Sequence, residues 1–407
     1  MNNKYFDTKD SLYDLTEKYK EALELLISVG FDNLRDENMR NAFGKSISLE
    51  NALQMKKINL ESFVGELVER IERNEANLID DSEEKERIKI SGVLPCPVKV
   101  PLMEAFEEWM EKTNMDVAVD YELKAASMGV DWLEDVLKTG KVDEIPDVFI
   151  SAGFDIFFDK KLFGKYKEDG VFTDITGIES YNEDFNNDEI SLRDPDNQYS
   201  IIGLVPAIFL VNRDELKGRK RPETWEDVLG EEFERSISLP VGDFDLFNAI
   251  LLNIYKNFGE DGIKRLGRNM QKSMHPSEMI KSHTKIQKPT VTVMPYFFTW
   301  MVTEKSPLEA VWPKDGAILS PIFMLSKKEK SEKLKPVVDF FASVKVGEIL
   351  AHNGKFPSVN PKVDNMVPKE NKYMWLGWDF IKENDIAALI KKCEAIFNSE
   401  LKGENDQ

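Results

Sequence analysis

Residues 199–212 read Tyr-Ser-Ile-Ile-Gly-Leu-Val-Pro-Ala-Ile-Phe-Leu-Val-Asn, a stretch without one charged side chain in a protein whose formal charge is −20. A run of this kind has to be buried, yet it falls short of the roughly 20 apolar residues a membrane-spanning helix needs. Its β-branched residues, interrupted by Gly203 and Pro206, predict buried extended chain broken by a bend, as in a strand that passes from one lobe to another. The rest of the chain is read around that crossing.

With 407 residues, of which 42% are hydrophobic and 10% aromatic, the chain exceeds a usual single core and should form at least two domains. The excess of acid argues against nucleic acid or an anionic membrane surface as the main partner, since both repel it. Two cysteines, Cys96 and Cys393, make a disulfide framework improbable. Met1 to Asp10 contain neither an apolar signal core nor a cysteine for a lipid anchor, so a cytoplasmic protein is expected, with export by another route as the alternative. Insertion into the membrane is not expected. A glycine-rich phosphate loop, a paired-cysteine zinc motif and a serine-centred elbow are all missing from the sequence, so no cofactor is expected.

From the N-terminus, Leu12, Leu15, Tyr19, Leu23 and Leu26 share one helical face over Ser11 to Val29, and Gly30 follows as a stop. A short helix is expected over Asn38 to Phe43, another behind the cap Ser48, and a last one from Leu60 to about Ile71. The residues Gly30-Phe-Asp-Asn-Leu, Met39-Arg-Asn, Ser48-Leu-Glu-Asn-Ala and Ile58-Asn-Leu resemble a small helical domain of unknown function found alone or ahead of other domains in anaerobic bacteria. Eleven basic against sixteen acidic residues up to Asp80 argue against DNA binding and for an interaction module. Asn74 to Arg87 is polar and charge-dense, as a solvated linker would be. The expected organisation is a helical domain over 1–78, a linker over 79–87, lobe 1 over 88–205 and 318–407, and lobe 2 over 206–317.

Beyond the linker, strands are expected at Ile88–Val93, Val117–Leu123 and Pro146–Ile150. They alternate with helices at Pro101–Met110 and Val130–Leu137, with Leu94 to Val98 as a loop. That spacing predicts βαβ units and a parallel sheet. A second α/β set follows: a strand at Ile237–Pro240, helices over Phe244–Phe258 and Gly259–Met270, a strand at Thr290–Met294 and a helix from Tyr296. Pro336 to Leu350 and Trp375 to Leu401 are expected to form outer helices of lobe 1.

Pro222-Glu-Thr-Trp-Glu-Asp-Val-Leu after the apolar run, Trp312-Pro-Lys-Asp-Gly before a second apolar strand, and Gly354-Lys-Phe-Pro resemble type 2 solute-binding proteins of ABC importers, in the branch that includes ferric-iron binders. The resemblance implies an α/β, two-lobed type 2 periplasmic-binding-protein fold with two crossing strands, behind the all-α N-terminal domain. It implies a small-molecule ligand held between the lobes by hinge closure. The implied partner is an importer permease, or an intracellular protein through the N-terminal domain; an intracellular sensor without a transport role is an alternative.

Ligands of such sheets sit beyond the carboxyl ends of the strands. That points to Pro95, Cys96 and Pro97, to Ser151, Ala152, Gly153 and Phe154, to Gly242, Asp243 and Phe244, and to Tyr296 and Phe297. Asp243 and Asp245 are read as helix caps or as partners for an amine or hydroxyl. Ferric binders of the family use a histidine, a glutamate and two adjacent tyrosines. Their positions fall at Cys96 and Pro97, at Ala152, and at Tyr296 and Phe297, so Tyr296 alone matches and no metal site is expected. The rings of Phe244, Tyr296, Phe297, Phe298 and Trp300 suit an organic ligand with an apolar face. A different class of function would be an enzyme using Cys96 as nucleophile, although nothing local pairs His275, His283 or His352 with it.

Overall fold

The structure is a computed structural model and describes residues 3–56, 58, 60–79, 86–125, 137–138, 141–154, 156–185, 190–274, 276–303 and 305–401. The chain divides into two units, Met1–Glu86 and Arg87–Gln407.

In the first unit the apolar faces predicted from helical spacing become α1 (Leu12–Lys18), α2 (Lys20–Ser28), α3 (Glu37–Ala42), α4 (Leu49–Met55) and α5 (Leu60–Ile79). Ser11, Asp36 and Ser48 each accept a backbone N–H in the first turn of the helix they precede. Leu12, Leu15, Leu25, Leu26, Leu49, Leu53 and Leu67 form the buried core. The single helix expected over Ser11–Val29 is in fact two. Tyr19 is extended between them, its hydroxyl donating to the Tyr5 carbonyl at 2.9 Å and its ring edge-on to Tyr5 and Phe6. Gly30, at φ +92°, ends α2 as expected, and Phe31 N–H donates back to the Leu26 carbonyl. The expected linker over 79–87 lies mainly outside the described residues. Its ends are regular structure, because α5 continues to Ile79 and the first strand starts at Arg87.

The second unit is built on one sheet of ten strands: β1 (Arg87–Leu94), β2 (Ala118–Ala125), β3 (Val148–Ala152), β4 (Ser200–Asn212), β5 (Ile237–Leu239), β6 (Met270–Ser273), β7 (Val291–Pro295), β8 (Leu308–Val311), β9 (Ala317–Ser326) and β10 (Tyr373–Met374). Their order is β2-β1-β3-β9-β4-β7-β5-β6, with β8 beside β4 and β10 beside β9. β1, β2 and β3 run parallel in one half, and β5, β6 and β7 in the other. Between them β4 and β9 pair antiparallel, and every residue of both is buried. The run without charges is therefore the central crossing of a two-lobed α/β fold, and the Pro-Lys-Asp-Gly turn leads into the second crossing.

The bend predicted in β4 is a bulge: Ile201 faces Phe323 and Gly203 faces Ile322, leaving Ile202 unpaired in the ladder. Pro206, which has no N–H to offer, lies one residue before Ala207, where β4 meets Ile318 of β9 on one side and Pro295 of β7 on the other. Trp225 locks the two crossings together. Its ring stands edge-on to Phe209 of β4, its indole N–H donates to Gly316 O at 2.9 Å, and its backbone N–H donates to Asp315 Oδ2 at 2.9 Å.

Of the helices expected, one is placed differently. The long helix Phe244–Asn269 changes direction at Gly259 (φ +65°), which matches the two helices read from sequence. The C-terminal helix Ile386–Leu401, however, does not sit with lobe 1. It lies along Phe244–Asn269 of lobe 2, with the Phe247 and Phe397 rings 5.2 Å apart, Arg268 paired to Glu400 and Lys392 paired to Glu260. The helix expected over Val130–Leu137 lies, except for its last residue, outside the described residues.

At the opposite end of lobe 1, Asp147 is buried just before β3 between Lys327 at 3.0 Å and Lys330 at 3.1 Å, and its Oδ2 accepts the Lys89 backbone N–H at 2.9 Å. This ties β1, β3 and the end of β9. Replacing the carboxylate strands the Lys327 ammonium in the core, so Asp147→Ala should cost roughly 3–5 kcal/mol. Calorimetry of the full chain should show a lowered transition for the second unit, partly restored when Lys327→Met is added.

Candidate functional site

The loops expected to meet between the lobes are held by four local arrangements. Leu94 to Val98 is not a loop: the helix α6 (Cys96–Lys112) starts at Cys96, with Pro97 in its first turn where a missing N–H costs nothing. Pro95 stands at the N-cap, and the Val98 and Lys99 amides both donate to its carbonyl. Cys96 is exposed and Pro97 half-buried. Neither cysteine is in a disulfide; Cys393 is buried, and burial pushes its thiol up to about 12. His352 is exposed with Nε2 at 2.8 Å from the Asp364 carbonyl, and among the described residues no hydrogen bond joins a histidine to Cys96.

At the end of β3, Ser151 and Ala152 are buried, and Phe154 is fully buried against Trp375, Phe158 and Phe323. All three of these expected site residues lie in the buried interior of the structure. Gly153 is different. At φ +83° its N–H donates to Pro321 O at 2.8 Å, and a Cβ on it would lie 2.9 Å from the Asp245 Cα. The start of lobe 2's long helix therefore rests on the end of β3, and Ser320 of β9 donates its hydroxyl to the Asp245 carbonyl at 3.1 Å. Gly242 is exposed and Asp243 holds the N-cap position without a side-chain hydrogen bond to the helix, so the capping expected of it is not made. Phe244 begins the helix, and its side chain lies outside the described residues.

After β7 the chain makes a six-residue 3₁₀ turn, Tyr296–Met301, in place of the expected longer helix. Tyr296 and Phe297 are half-buried. The Tyr296 ring stands edge-on to Trp312 at 5.1 Å, and Phe297 meets Phe298, Trp300 and Phe356. Trp300 is 62% exposed, so the turn keeps an aromatic outer edge.

One site residue escaped the reading of the sequence. Lys355, in the lobe 1 loop Gly354-Lys-Phe-Pro, reaches across to this turn: its Nζ donates to Thr299 Oγ1 at 3.1 Å and lies 4.8 Å from the centre of the Tyr296 ring. Burial lowers the Lys355 pKa, and burial raises that of the Tyr296 phenol. A Cβ on Gly354 would come within 2.5 Å of both Val98 Cγ1 and the Phe356 ring, so the loop is pressed onto the first turn of α6. The only signal in the sequence was the short Gly-Lys-Phe-Pro segment between two helices.

The structure thus brings Gly153 to the start of the long helix, and Pro95–Pro97, through Gly354–Phe356, to Tyr296 and Phe297. Two open concavities lie elsewhere. One of about 380 Å³ includes Glu108, Trp109 and Phe340, and one of about 510 Å³ includes Thr176, Ser343 and Asn360. Neither contains an expected site residue.

Residues 143–384 match the family described as bacterial extracellular solute-binding protein, from just before β3 to the helix Trp378–Glu383, crossings and loops included. The chain belongs to that family. It is a solute-binding protein of the ABC-transporter type, and the family binds solutes rather than transforming them, which sets aside the enzyme built on Cys96. Residues 6–64 match a domain of unknown function, DUF1858, in agreement with the resemblance read at the N-terminus. No curated protein matches the chain. Among solved structures, a ferric binding protein from Campylobacter jejuni is similar at 16% identity and a TM-score of 0.55, over 77% of this chain and 99% of that one. The periplasmic binding protein AfuA from Actinobacillus pleuropneumoniae, with fructose-6-phosphate bound, is similar at 17% identity and a TM-score of 0.54, over 79% and 100%. At these identities the likeness is one of fold: type 2, two-lobed, with two crossing strands.

Gly153 can be tested directly. Alanine there meets both an unfavourable φ and the Asp245 backbone, so Gly153→Ala should cost roughly 1–3 kcal/mol and part the lobes. A lower melting temperature together with a larger radius of gyration by small-angle scattering is the expected result; wild-type values for both would show that this contact does not set the lobe spacing.

Proposed function

We propose that this solute-binding protein takes up a small organic ligand between its lobes by hinge rotation about β4 and β9, and presents the closed form to the permease of an ABC importer. One observation carries the reading. At the strand ends the lobes meet through loop residues, Gly153 against Asp245 and Lys355 with Phe356 against Tyr296, Phe297 and Thr299; elsewhere Lys256 donates to the Leu376 carbonyl and the Trp312 indole to the Lys372 carbonyl. Loop contacts of this kind can part and re-form when the crossing strands serve as the hinge, as domain closure around a ligand requires. The all-α N-terminal unit would supply a second interaction surface.

Ferric iron is a poor cargo for these residues. Hard Fe(III) takes several anionic oxygen ligands. At the positions where ferric binders carry theirs, this chain has Cys96 and Pro97, the buried Ala152, and Phe297 beside Tyr296. Among the described residues there is no cluster of three or more His, Cys, Asp or Glu side chains that could hold a metal ion. Burial of Tyr296 also disfavours the phenolate that iron would need. The half-buried rings of Tyr296 and Phe297 offer apolar faces to an organic molecule instead.

Native mass spectrometry of the purified chain, set against its denatured mass and combined with elemental analysis, tests the reading. An organic mass lost on denaturation and substoichiometric iron unaffected by Tyr296→Phe are the expected outcomes. One equivalent of iron in the wild type, lost in that variant, would restore the ferric reading and overturn this one.

A further inference from the structure

Lys355 is held in a way that a solvent-facing lysine is not. Its backbone lies in the left-handed region at φ +48°, which non-glycine residues rarely adopt. The preceding Gly354 has no room for a Cβ between Val98 and Phe356, so the segment is fixed from both sides. From this base the side chain spans the two lobes and ends on a threonine hydroxyl and the face of an aromatic ring. It makes no ion pair among the described residues, unlike Lys345, which pairs with Glu108, and Lys382, which pairs with Asp196. A partly desolvated ammonium whose partners are one neutral oxygen and a ring keeps unused capacity for an anion.

We propose that Lys355 reads an anionic group, a carboxylate or a phosphate ester, on the organic ligand held between the lobes. Tyr296 and Phe297 flank the rest of the molecule. The proposal rests on the interlobe reading given above and narrows it to organic anions. On binding, the anion takes the place of Thr299 Oγ1 as the main acceptor for Nζ. Lys355 belongs to lobe 1 and Thr299 to lobe 2, so an anion seated there contacts both and favours closure. The exchange replaces a neutral acceptor with a charged one, adding ion-pair attraction to the hydrogen bond that the ammonium already donates.

Matched pairs of probes that differ only in charge test this on the full chain: phenylacetate against phenylacetamide, and glucose 6-phosphate against glucose, by titration calorimetry. At least one anion should bind in the millimolar range or tighter, and its neutral counterpart should bind roughly 10- to 100-fold more weakly. Lys355→Met should remove that difference, and Lys355→Arg, which keeps the charge, should retain most of it. Equal affinity within both pairs, binding unaffected by Lys355→Met, or no response to either anion at millimolar concentration would each overturn the proposal.

Hydrogen exchange separates this failure from failure of the interlobe reading. An anion that protects Gly153–Asp245 and Tyr296–Met301 yet ignores Lys355→Met refutes the role of Lys355 alone. Protection confined to other segments refutes the interlobe site itself.

Discussion

The antiparallel pairing of β4 with β9 is the constraint on which the second unit depends. Both strands are buried along their whole length, so their amides have no access to water and must find partners in the sheet. β4 does so with different neighbours along its length: β9 beside Ser200–Ala207, β7 beside Ala207–Val211 on the other side, and β8 beside Phe209–Asn212. The sequence accommodates the change with two residues that ordinary central strands avoid. Gly203 follows the unpaired Ile202 and leaves only 3.0 Å between its would-be Cβ and a methyl of Leu350, and Pro206 stands next to the point of exchange. A single ladder running unbroken through both halves would be stiffer, and the bulge concentrates the twist at one place.

The contacts that bring the lobes together follow from that arrangement. At the ends of strands, where loops rather than ladders face the partner lobe, they differ in chemistry on the two flanks. At Gly153 the approach is backbone on backbone, possible because no side chain intervenes. At Lys355 it is a long cationic side chain laid on an aromatic turn. The first flank permits close approach, and the second supplies polarity.

What could be read from the sequence follows a physical division. An uncharged run such as Tyr199–Asn212, a Thr-Trp helix start, a Pro-x-Asp-Gly turn and a mid-helix Gly259 each act through local backbone preference or unavoidable burial, so the crossings and the break in the long helix were legible. Features set by tertiary partners were not. Tyr19 breaks a good helical pattern because the Tyr5 carbonyl and ring are there to receive it. The helix α6 begins at Cys96 because proline is tolerated in a first turn, while the pattern Pro-Cys-Pro reads as a loop. Charged residues after Asn74 looked like a linker, yet α5 runs on to Ile79. The position of the C-terminal helix is set by a partner remote in the chain, Phe247 of lobe 2, on which Phe397 packs. In the site, Gly153 was legible as a glycine after a strand; Lys355 was not, because a lysine in a loop gives no sign that its side chain crosses to the other lobe.

The overall charge bears on the ligand in a way that local contacts do not. A protein of net charge −20 repels an approaching anion, which argues at first sight against an anionic solute. Screening limits the argument, because the Debye length is about 8 Å at physiological ionic strength and exposed charges farther away count for little. Inside the interlobe contact the balance is decided at short range, where an ammonium without a carboxylate partner lies beside neutral Thr299 and the Tyr296 ring. The two effects also act on different quantities: the distant field slows encounter, and the local ion pair slows release. An acidic solute-binding protein can therefore hold an anion well while capturing it slowly. Selectivity is left to the few residues that touch the ligand.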